Sequence, residues 1–146
     1  MTFQFPTPRR TAALETTFDY EAAKPDPEKP GLVQGRIASS INEWYVAKAL
    51  WALQLEFRYQ FPILGGTQRR GGIVIDFLVR SEPKWLPLEV QSERWHTGKF
   101  GSGERMRISI IENKLGVKVR FVWEDDTTNL SDAIQAVKKA VFEPAE

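Results

Sequence analysis

The feature of this chain that most restricts its fold is an apolar run that contains a single carboxylate. Residues 72–79 read Gly-Ile-Val-Ile-Asp-Phe-Leu-Val, in which isoleucine and valine supply four of the six apolar side chains. Such a run is typical of a buried strand. A charge inside it is costly unless it is paired, hydrogen-bonded or bound to a metal. Asp76 therefore predicts a site with a specific role.

A second strand is predicted directly after the first one. Residues 81–84, Ser-Glu-Pro-Lys, signal a turn, and leucine and valine then alternate with Pro87, Glu89 and Gln91. Glu89 and Gln91 point to one face, about 7 Å apart along the strand. If the two strands are neighbours, Asp76 shares that face. Two carboxylates that converge in this way form an all-oxygen site suited to Mg²⁺.

The remaining patterns predict three helices, two further strands and one glycine-flanked connection. The helices are indicated by apolar residues at helical spacing, and the strands by alternation of apolar and polar residues. In chain order these elements are a helix over residues 36–54, a strand over 55–61, a connection over 62–72, a helix over 102–115, a strand over 117–123, and a helix from 129 or 131 to 142.

Glu43 lies in the first predicted helix and has two interpretations. It shares a helix face with small and apolar residues, which favours a carboxylate that faces other protein. The sequence Ser40-Ile41-Asn42-Glu43 also fits a capping box, in which Glu43 would only fix the start of the helix. The helical spacing of Ile37 argues against a helix that begins at Ser40, so the first interpretation is preferred.

These residues together resemble a known superfamily. An Asp in an apolar strand, twelve intervening residues and then Glu-x-Gln resembles the metal-binding core of PD-(D/E)XK nucleases, which is Asp, a variable gap and Asp/Glu-x-Lys. The matching positions are Asp76, Glu89 and Gln91. The lysine position holds Gln91, as it does in some active restriction enzymes of the superfamily.

The resemblance implies an α/β, restriction-endonuclease-like fold. Its αβββαβ core would cover residues 36–123, with a central mixed four-stranded sheet flanked by helices, plus a C-terminal helix. A closer similarity is to the very-short-patch-repair-like branch. The matching features are Arg94-Trp95-His96 after the carboxylate strand, Arg105 and Arg107 in the next helix, and the strand that ends at residues 119–125.

The resemblance also implies an endonuclease that acts on nucleic acid, with DNA the favoured substrate, and depends on Mg²⁺ or on Mn²⁺ in its place. Asp76 and Glu89 would hold the metal with the Val90 carbonyl and Glu43, while Gln91 could orient a water but lacks the positive charge of lysine. Lys99 and Arg105 are candidates for that charge. Candidate residues for contact with nucleic acid are Arg69, Arg70, His96, Lys99 and Arg105. A solvated loop is the preferred explanation for the paired arginines, and a packed loop is the preferred explanation for the histidine.

Composition restricts the remaining function classes. The chain has no cysteine and one histidine, which excludes a disulfide framework and multi-histidine zinc chemistry. Residues 36–123 carry a net charge of +6 and residues 124–146 a net charge of −4, a modest bias toward a polyanion. No signal peptide or membrane span is recognisable, so a soluble, cytoplasmic protein without a membrane partner is expected.

The expected organisation is a proline-rich, extended or disordered arm over residues 1–35 and a single domain over residues 36–146. A nuclease of this size that cuts both strands would need to form a homodimer or join a larger assembly. Two alternatives stay open. One is an inactive protein of the same fold that binds nucleic acid or has a structural role. The other is structural ion pairing of Asp76 and Glu89 with Arg80 or Arg58.

Overall fold

The fold is a mixed sheet with helices packed on it, seen in a computed structural model that describes residues 3–6, 30–68, 70–92 and 102–143. From residue 30 onward, a short hairpin is followed by a helix, three strands, a helix, a strand and a last helix. The elements are β1 (Leu32–Val33), β2 (Arg36–Ile37), α1 (Ile41–Ala52), β3 (Phe57–Ile63), a 3₁₀ turn (Gly66–Gln68), β4 (Ile73–Ser81), β5 (Lys84–Gln91), α2 (Ser102–Leu115), β6 (Arg120–Trp123), a 3₁₀ turn (Glu124–Asp126) and α3 (Leu130–Phe142).

The main sheet has four strands in the order β3-β4-β5-β6. The first two pairs are antiparallel and the pair β5-β6 is parallel. A two-residue link suffices for the antiparallel turn between β4 and β5. Parallel strands need a crossover, which in this chain contains α2. The predicted mixed four-stranded sheet with flanking helices and a closing helix is confirmed.

Each face of the sheet carries its own apolar core. On one face, Phe77, Leu88 and Val122 pack with buried residues of α1 and α3. On the other face, Ile75 and Trp85 pack with Ile111 of α2 and its neighbours. The central strands are therefore covered on both sides, which explains why β4 reads as a nearly continuous apolar run.

The first helix begins later than the sequence predicted. Its N-cap is Ser40, whose side chain accepts a hydrogen bond from the backbone N–H of Glu43, so the predicted start at residue 36 is wrong. Residues 36–37 form β2, which pairs with β1 around a turn at Gln34 and Gly35, where φ is 51° and 81°. Ile37 is 67% exposed, so its helical spacing had no structural meaning.

The hairpin extends across the predicted boundary between arm and domain at residue 35. Val33 is fully buried in the core beside α1, and the Gln34 amide bonds to the edge of β3. Near the N-terminus, Phe3 packs edge to face on Phe61 at a centroid distance of 6.1 Å. Most of the predicted arm, residues 7–29, lies outside the described residues. Within the part of the chain that is described, no helix has the length and apolarity needed to cross a membrane.

Candidate active site

Asp76 and Glu89 lie beside each other where the pairing of β4 with β5 ends. The last regular pair is Phe77 with Leu88. Beyond it, Glu89 Oε2 accepts a hydrogen bond from the Asp76 backbone N–H at 2.8 Å, and Asp76 Oδ2 accepts one from the Val90 N–H at 2.9 Å. The two carboxylates occupy the place that backbone carbonyls hold in a regular ladder. The sequence-predicted pair is thus brought together by the strands that carry it.

The neighbouring strand β3 is also irregular at this level. Tyr59 pairs with Phe77, and both belong to the core beside α1 and α3. Two residues before Phe77 in β4, Ile75 belongs to the opposite core, beside α2. Gln60, at the level of Asp76, has a left-handed backbone with φ of 51°. The side-chain alternation of both strands therefore reverses beside Asp76.

Glu43 reaches the same region from α1. Its Oε1 accepts a hydrogen bond from the Tyr59 hydroxyl at 2.7 Å, while its backbone N–H bonds to Ser40. The backbone of Glu43 thus takes part in the N-cap, and its carboxylate turns toward the sheet. Burial raises the pKa of Tyr59 to about 12, so this hydroxyl remains a donor at neutral pH.

The three carboxylates influence one another electrostatically. Burial, with repulsion from Glu43 second, raises the pKa of Asp76 to about 6. Burial and then repulsion from Asp76 raise the pKa of Glu89 to about 7. The pKa of Glu43 is also raised, mainly by burial. Raised carboxyl pKa values in one small region are characteristic of functional sites.

Arg107 of α2 provides the positive charge of this region. Its Nη1 contacts Glu89 Oε1 in an ion pair, and its Nη2 donates to the Val74 carbonyl at 2.7 Å. The Glu89 side chain is only 1% exposed, so the guanidinium offsets a charge that is almost fully removed from water. The sequence predicts Lys99 or Arg105 as the cation.

The helical period alone predicts that Arg107 faces the sheet. Arg107 lies four residues before Ile111, which is fully buried, so the two side chains share the face of α2 that packs on the sheet. Arg105 lies two residues away from Arg107, on another face, and is exposed. Counting back from the apolar stripe would have identified Arg107 as the arginine that faces the sheet.

The remaining predicted site residues are Gln91, Arg69, Arg70, His96 and Lys99. Gln91 is half-buried in β5 and pairs in register with Trp123 of β6, while Arg70 is exposed. The structure does not describe Arg69, His96 and Lys99.

Arg58 and Arg80, the ion-pair partners considered from the sequence, lie elsewhere on the sheet. Arg58 forms an ion pair with Glu56 at 2.6 Å, and Arg80 pairs with Glu82 at 3.1 Å. Among the described residues, the basic group that contacts Glu89 is Arg107.

The donor atoms of the site suit a hard cation. Asp76 and Glu89 offer carboxylate oxygens, each oxygen can accept two contacts, and Mg²⁺ is commonly bound by one or two carboxylates with water completing its shell. The predicted ligand Val90 is next to this pair, since its N–H bonds to Asp76. Among the described residues, no three histidine, aspartate or glutamate side chains are grouped closely enough to hold a metal ion. The residues present therefore fit a hydrated ion held by the pair, with Glu43 outside the immediate group.

No protein-family model matches this sequence, and the comparisons with curated proteins and with solved structures likewise found no match.

Proposed function

We propose that this protein is a metal-dependent nuclease that hydrolyses phosphodiester bonds in nucleic acid, with DNA the favoured substrate. The observation that carries the proposal is the reciprocal arrangement of Asp76 and Glu89, whose carboxylates meet where β4 and β5 stop pairing. Their raised pKa values support the proposal, because burial and repulsion between carboxylates disfavour negative charge here and a bound cation would offset that charge. A divalent ion would replace the protons that these groups otherwise retain.

The arrangement of the elements supports a restriction-endonuclease-like fold for the same site. A helix, three antiparallel strands, a helix and a parallel fourth strand follow one another in that superfamily, and here α1, β3-β4-β5, α2 and β6 have this order and pairing. Asp76 and Glu89 lie on the second and third of these strands. Glu43 lies on the first helix, where the superfamily commonly has a glutamate. Fold alone does not define activity, so the proposal rests on the residues of the site.

Each residue of the site has a separate role in the proposed reaction. Asp76 and Glu89 would hold Mg²⁺ or Mn²⁺ with the Val90 carbonyl, and Glu43, which accepts a hydrogen bond from Tyr59, would bind it through water. A bound Mg²⁺ would polarise the scissile phosphate and lower the pKa of an attacking water. Arg107 supplies the positive charge that Gln91 lacks, and a guanidinium is well suited to bind a phosphate that gains charge.

A second function has one observation in its favour. Arg107 already forms an ion pair with Glu89, so part of the buried negative charge is offset without a metal. An inactive protein of the same fold, which binds nucleic acid or serves as a structural or assembly component, would keep this ion pair for stability. The two functions differ in whether phosphodiester bonds are cleaved.

The test is cleavage of supercoiled plasmid and of branched DNA with Mg²⁺ or Mn²⁺ by the wild type and by Asp76→Asn. Asparagine keeps an acceptor for the Val90 N–H but removes the charge, and a cooperative thermal unfolding transition checks that the variant is folded. Glu82→Gln is the matched control, because it removes one negative charge at the far, exposed end of the same hairpin.

We expect the wild type and Glu82→Gln to nick DNA only with a metal, and Asp76→Asn to lose at least about 100-fold in rate, as for loss of a group worth several kcal/mol. No cleavage by the wild type with either metal, together with retained binding of labelled DNA, would support the inactive alternative. Equal activity of Asp76→Asn and Glu82→Gln would exclude the proposed metal pair.

A further inference from the structure

A cleft of about 640 Å³ opens between β3, the 3₁₀ turn at Gly66–Gln68 and Arg36 of the β1-β2 hairpin. A volume of this size is typical of sites for small ligands. Its walls include the apolar side chains of Phe3, Pro62 and Val74 and the polar side chains of Gln60 and Thr67. The cleft therefore combines an apolar surface with a few polar groups.

The cleft shares two residues with the surroundings of the carboxylates. Gln60 lies at the level of Asp76 in the neighbouring strand, between the pairs formed by residues 59 and 61 with β4. Val74 lies two residues before Asp76, and its carbonyl accepts the hydrogen bond from Arg107. A ligand in the cleft would thus lie beside the site described above.

Arg36 is the one charged side chain among the described residues that line the cleft. Its Nη1 donates to Gln60 Oε1 at 3.4 Å, and Gln60 Nε2 in turn donates to Ser39 Oγ at 2.7 Å. A guanidinium has five N–H groups, so most of its donors remain available to an anion. The positive φ of Gln60 costs free energy, and such strain is retained where the position of a side chain matters.

The apolar wall suits a planar group. Phe3 is held in place by edge-to-face packing on Phe61, and bases stack on such aromatic surfaces in proteins that bind single strands. Thr67 and Gln68 are exposed on the 3₁₀ turn and offer hydroxyl and amide groups to the edge of a base. Together with Arg36, the cleft can contact both parts of a nucleotide, the base and the phosphate.

We propose that this cleft binds one unpaired nucleotide of a nucleic-acid strand, with the base on the apolar wall and a phosphate at Arg36. A base inside a duplex is stacked and paired, so it must be single-stranded or extruded to enter. The inference rests on the proposed function for its substrate class and deepens it: the site would act next to an unpaired nucleotide, in a single strand, a branch or a bulge.

The test is binding of a fluorescein-labelled single strand, and of a duplex of the same sequence, to the full chain in EDTA, measured by fluorescence anisotropy. Arg36→Gln removes the charge in the cleft, and Thr67→Glu places a carboxylate at its edge. Lys84→Gln is the matched control, since this exposed lysine lies at the β4-β5 turn, outside the cleft. All three positions are exposed, and unchanged thermal unfolding checks that each variant is folded.

We expect Arg36→Gln and Thr67→Glu to weaken binding of the single strand about tenfold, the effect of one charged hydrogen bond. Arg36→Gln should also reduce the salt dependence of binding by about 0.7 in logarithmic slope, the loss of one phosphate contact. Lys84→Gln should bind the single strand like the wild type. Preference for the duplex, or equal effects of Arg36→Gln and Lys84→Gln, would overturn the proposal.

Failure of this inference is separable from failure of the proposed function. If the wild type cleaves and Asp76→Asn does not, while Arg36→Gln binds the single strand normally, the nuclease proposal stands and the cleft proposal falls. If nothing is cleaved but Arg36→Gln selectively weakens binding of the single strand, the cleft binds nucleic acid in an inactive protein.

Discussion

Gln60 and Asp76 occupy opposing positions in β3 and β4, and the side-chain alternation of both strands reverses between the pairs that flank them. Asp76 is thereby placed beside a left-handed residue on one side and beside Glu89 on the other. Regular pairing of the sheet is interrupted on both sides of one carboxylate. Because regular pairing stops here, the Glu89 and Asp76 carboxylates accept the hydrogen bonds of the Asp76 and Val90 N–H groups.

The pH dependence of stability follows from the raised pKa values of the carboxyl pair. Asp76 and Glu89 rise from ordinary values of 3.8 and 4.5 to about 6 and about 7 in the folded chain, chiefly through burial. Their protonated forms therefore favour the folded state, an effect complete below about pH 4 and lost as the pH rises through 6 and 7. In EDTA, the melting temperature should fall from pH 5 to pH 8. Asp76→Asn should show a smaller change of melting temperature with pH than Glu82→Gln. Identical profiles for the two variants would contradict a role of the Asp76 carboxyl in this pH dependence.

Metal binding should show the opposite dependence on pH. If the carboxylate pair binds a divalent ion as proposed, protons and the ion would compete for the same oxygens, so Mn²⁺ should raise the melting temperature more at pH 8 than at pH 5.5. Thermal unfolding with and without Mn²⁺ measures this difference. The shift at pH 8 should disappear in Asp76→Asn and persist in Glu82→Gln. A shift of equal size in all three proteins would indicate binding elsewhere.

Arg107 should be more important for stability than any neighbouring arginine. Arg107→Gln leaves the Glu89 charge buried without a partner, which costs about 3–5 kcal/mol in a fully buried pair and less here because Arg107 is 26% exposed. Urea unfolding at pH 8 should show this loss, and the loss should shrink at pH 5, where Glu89 is protonated. Arg105→Gln is the control and should change stability by less than about 0.5 kcal/mol, since it is exposed. A double variant with Glu89→Gln should recover part of the loss.

Tyr59 is expected to lower the pKa of Glu43. Its hydrogen bond lowers the pKa of Glu43 against the larger effect of burial, so Tyr59→Phe should raise that pKa further. Carboxyl titration by NMR measures the change, and stability should fall by about 1 kcal/mol for one lost hydrogen bond. Tyr45→Phe is a suitable control, because Tyr45 lies on the same helix as Glu43 and packs on Trp44. An unchanged Glu43 titration in Tyr59→Phe would mean that the hydroxyl has no influence on the site.

The sequence predicted that Asp76 and Glu89 lie close together. Side chains alternate between the two faces of a strand, and a carboxylate within an apolar run is easily recognised. The sequence predicted Glu43 on a premise that proved wrong, since the helix begins after Ser40 and Ile37 is exposed. Local capping by a serine hydroxyl outweighed the apparent periodicity of four residues. Capping signals are therefore the better guide to where a helix starts.

Other features were beyond sequence reasoning for physical reasons. Glutamine has no intrinsic preference for positive φ, so nothing in the sequence marks Gln60 as the point where two strands reverse their alternation. The same reversal separates Phe61 from Tyr59, which the alternating pattern had assigned to one face. The β1-β2 hairpin was missed because each strand has only two residues, too few for any period to be seen.

Alanine substitutions at two glycines should change stability in opposite directions. Gly72 lies near the cleft and Gly103 lies in α2. A Cβ on Gly72 would lie 1.9 Å from the carbonyl oxygen of Gly66, a backbone atom that cannot move without displacing the turn beside the cleft. Gly72→Ala should cost about 1–3 kcal/mol, as other overpacked sites do, and should also weaken binding of the single strand.

Gly103, in contrast, is exposed in α2 and a Cβ there would meet nothing within 4 Å. Gly103→Ala should stabilise the protein by up to about 1 kcal/mol through helix propensity and leave binding unchanged. Urea unfolding and anisotropy measure both effects, and a Gly72→Ala protein as stable as the wild type would show that the turn is not packed against β4 as described.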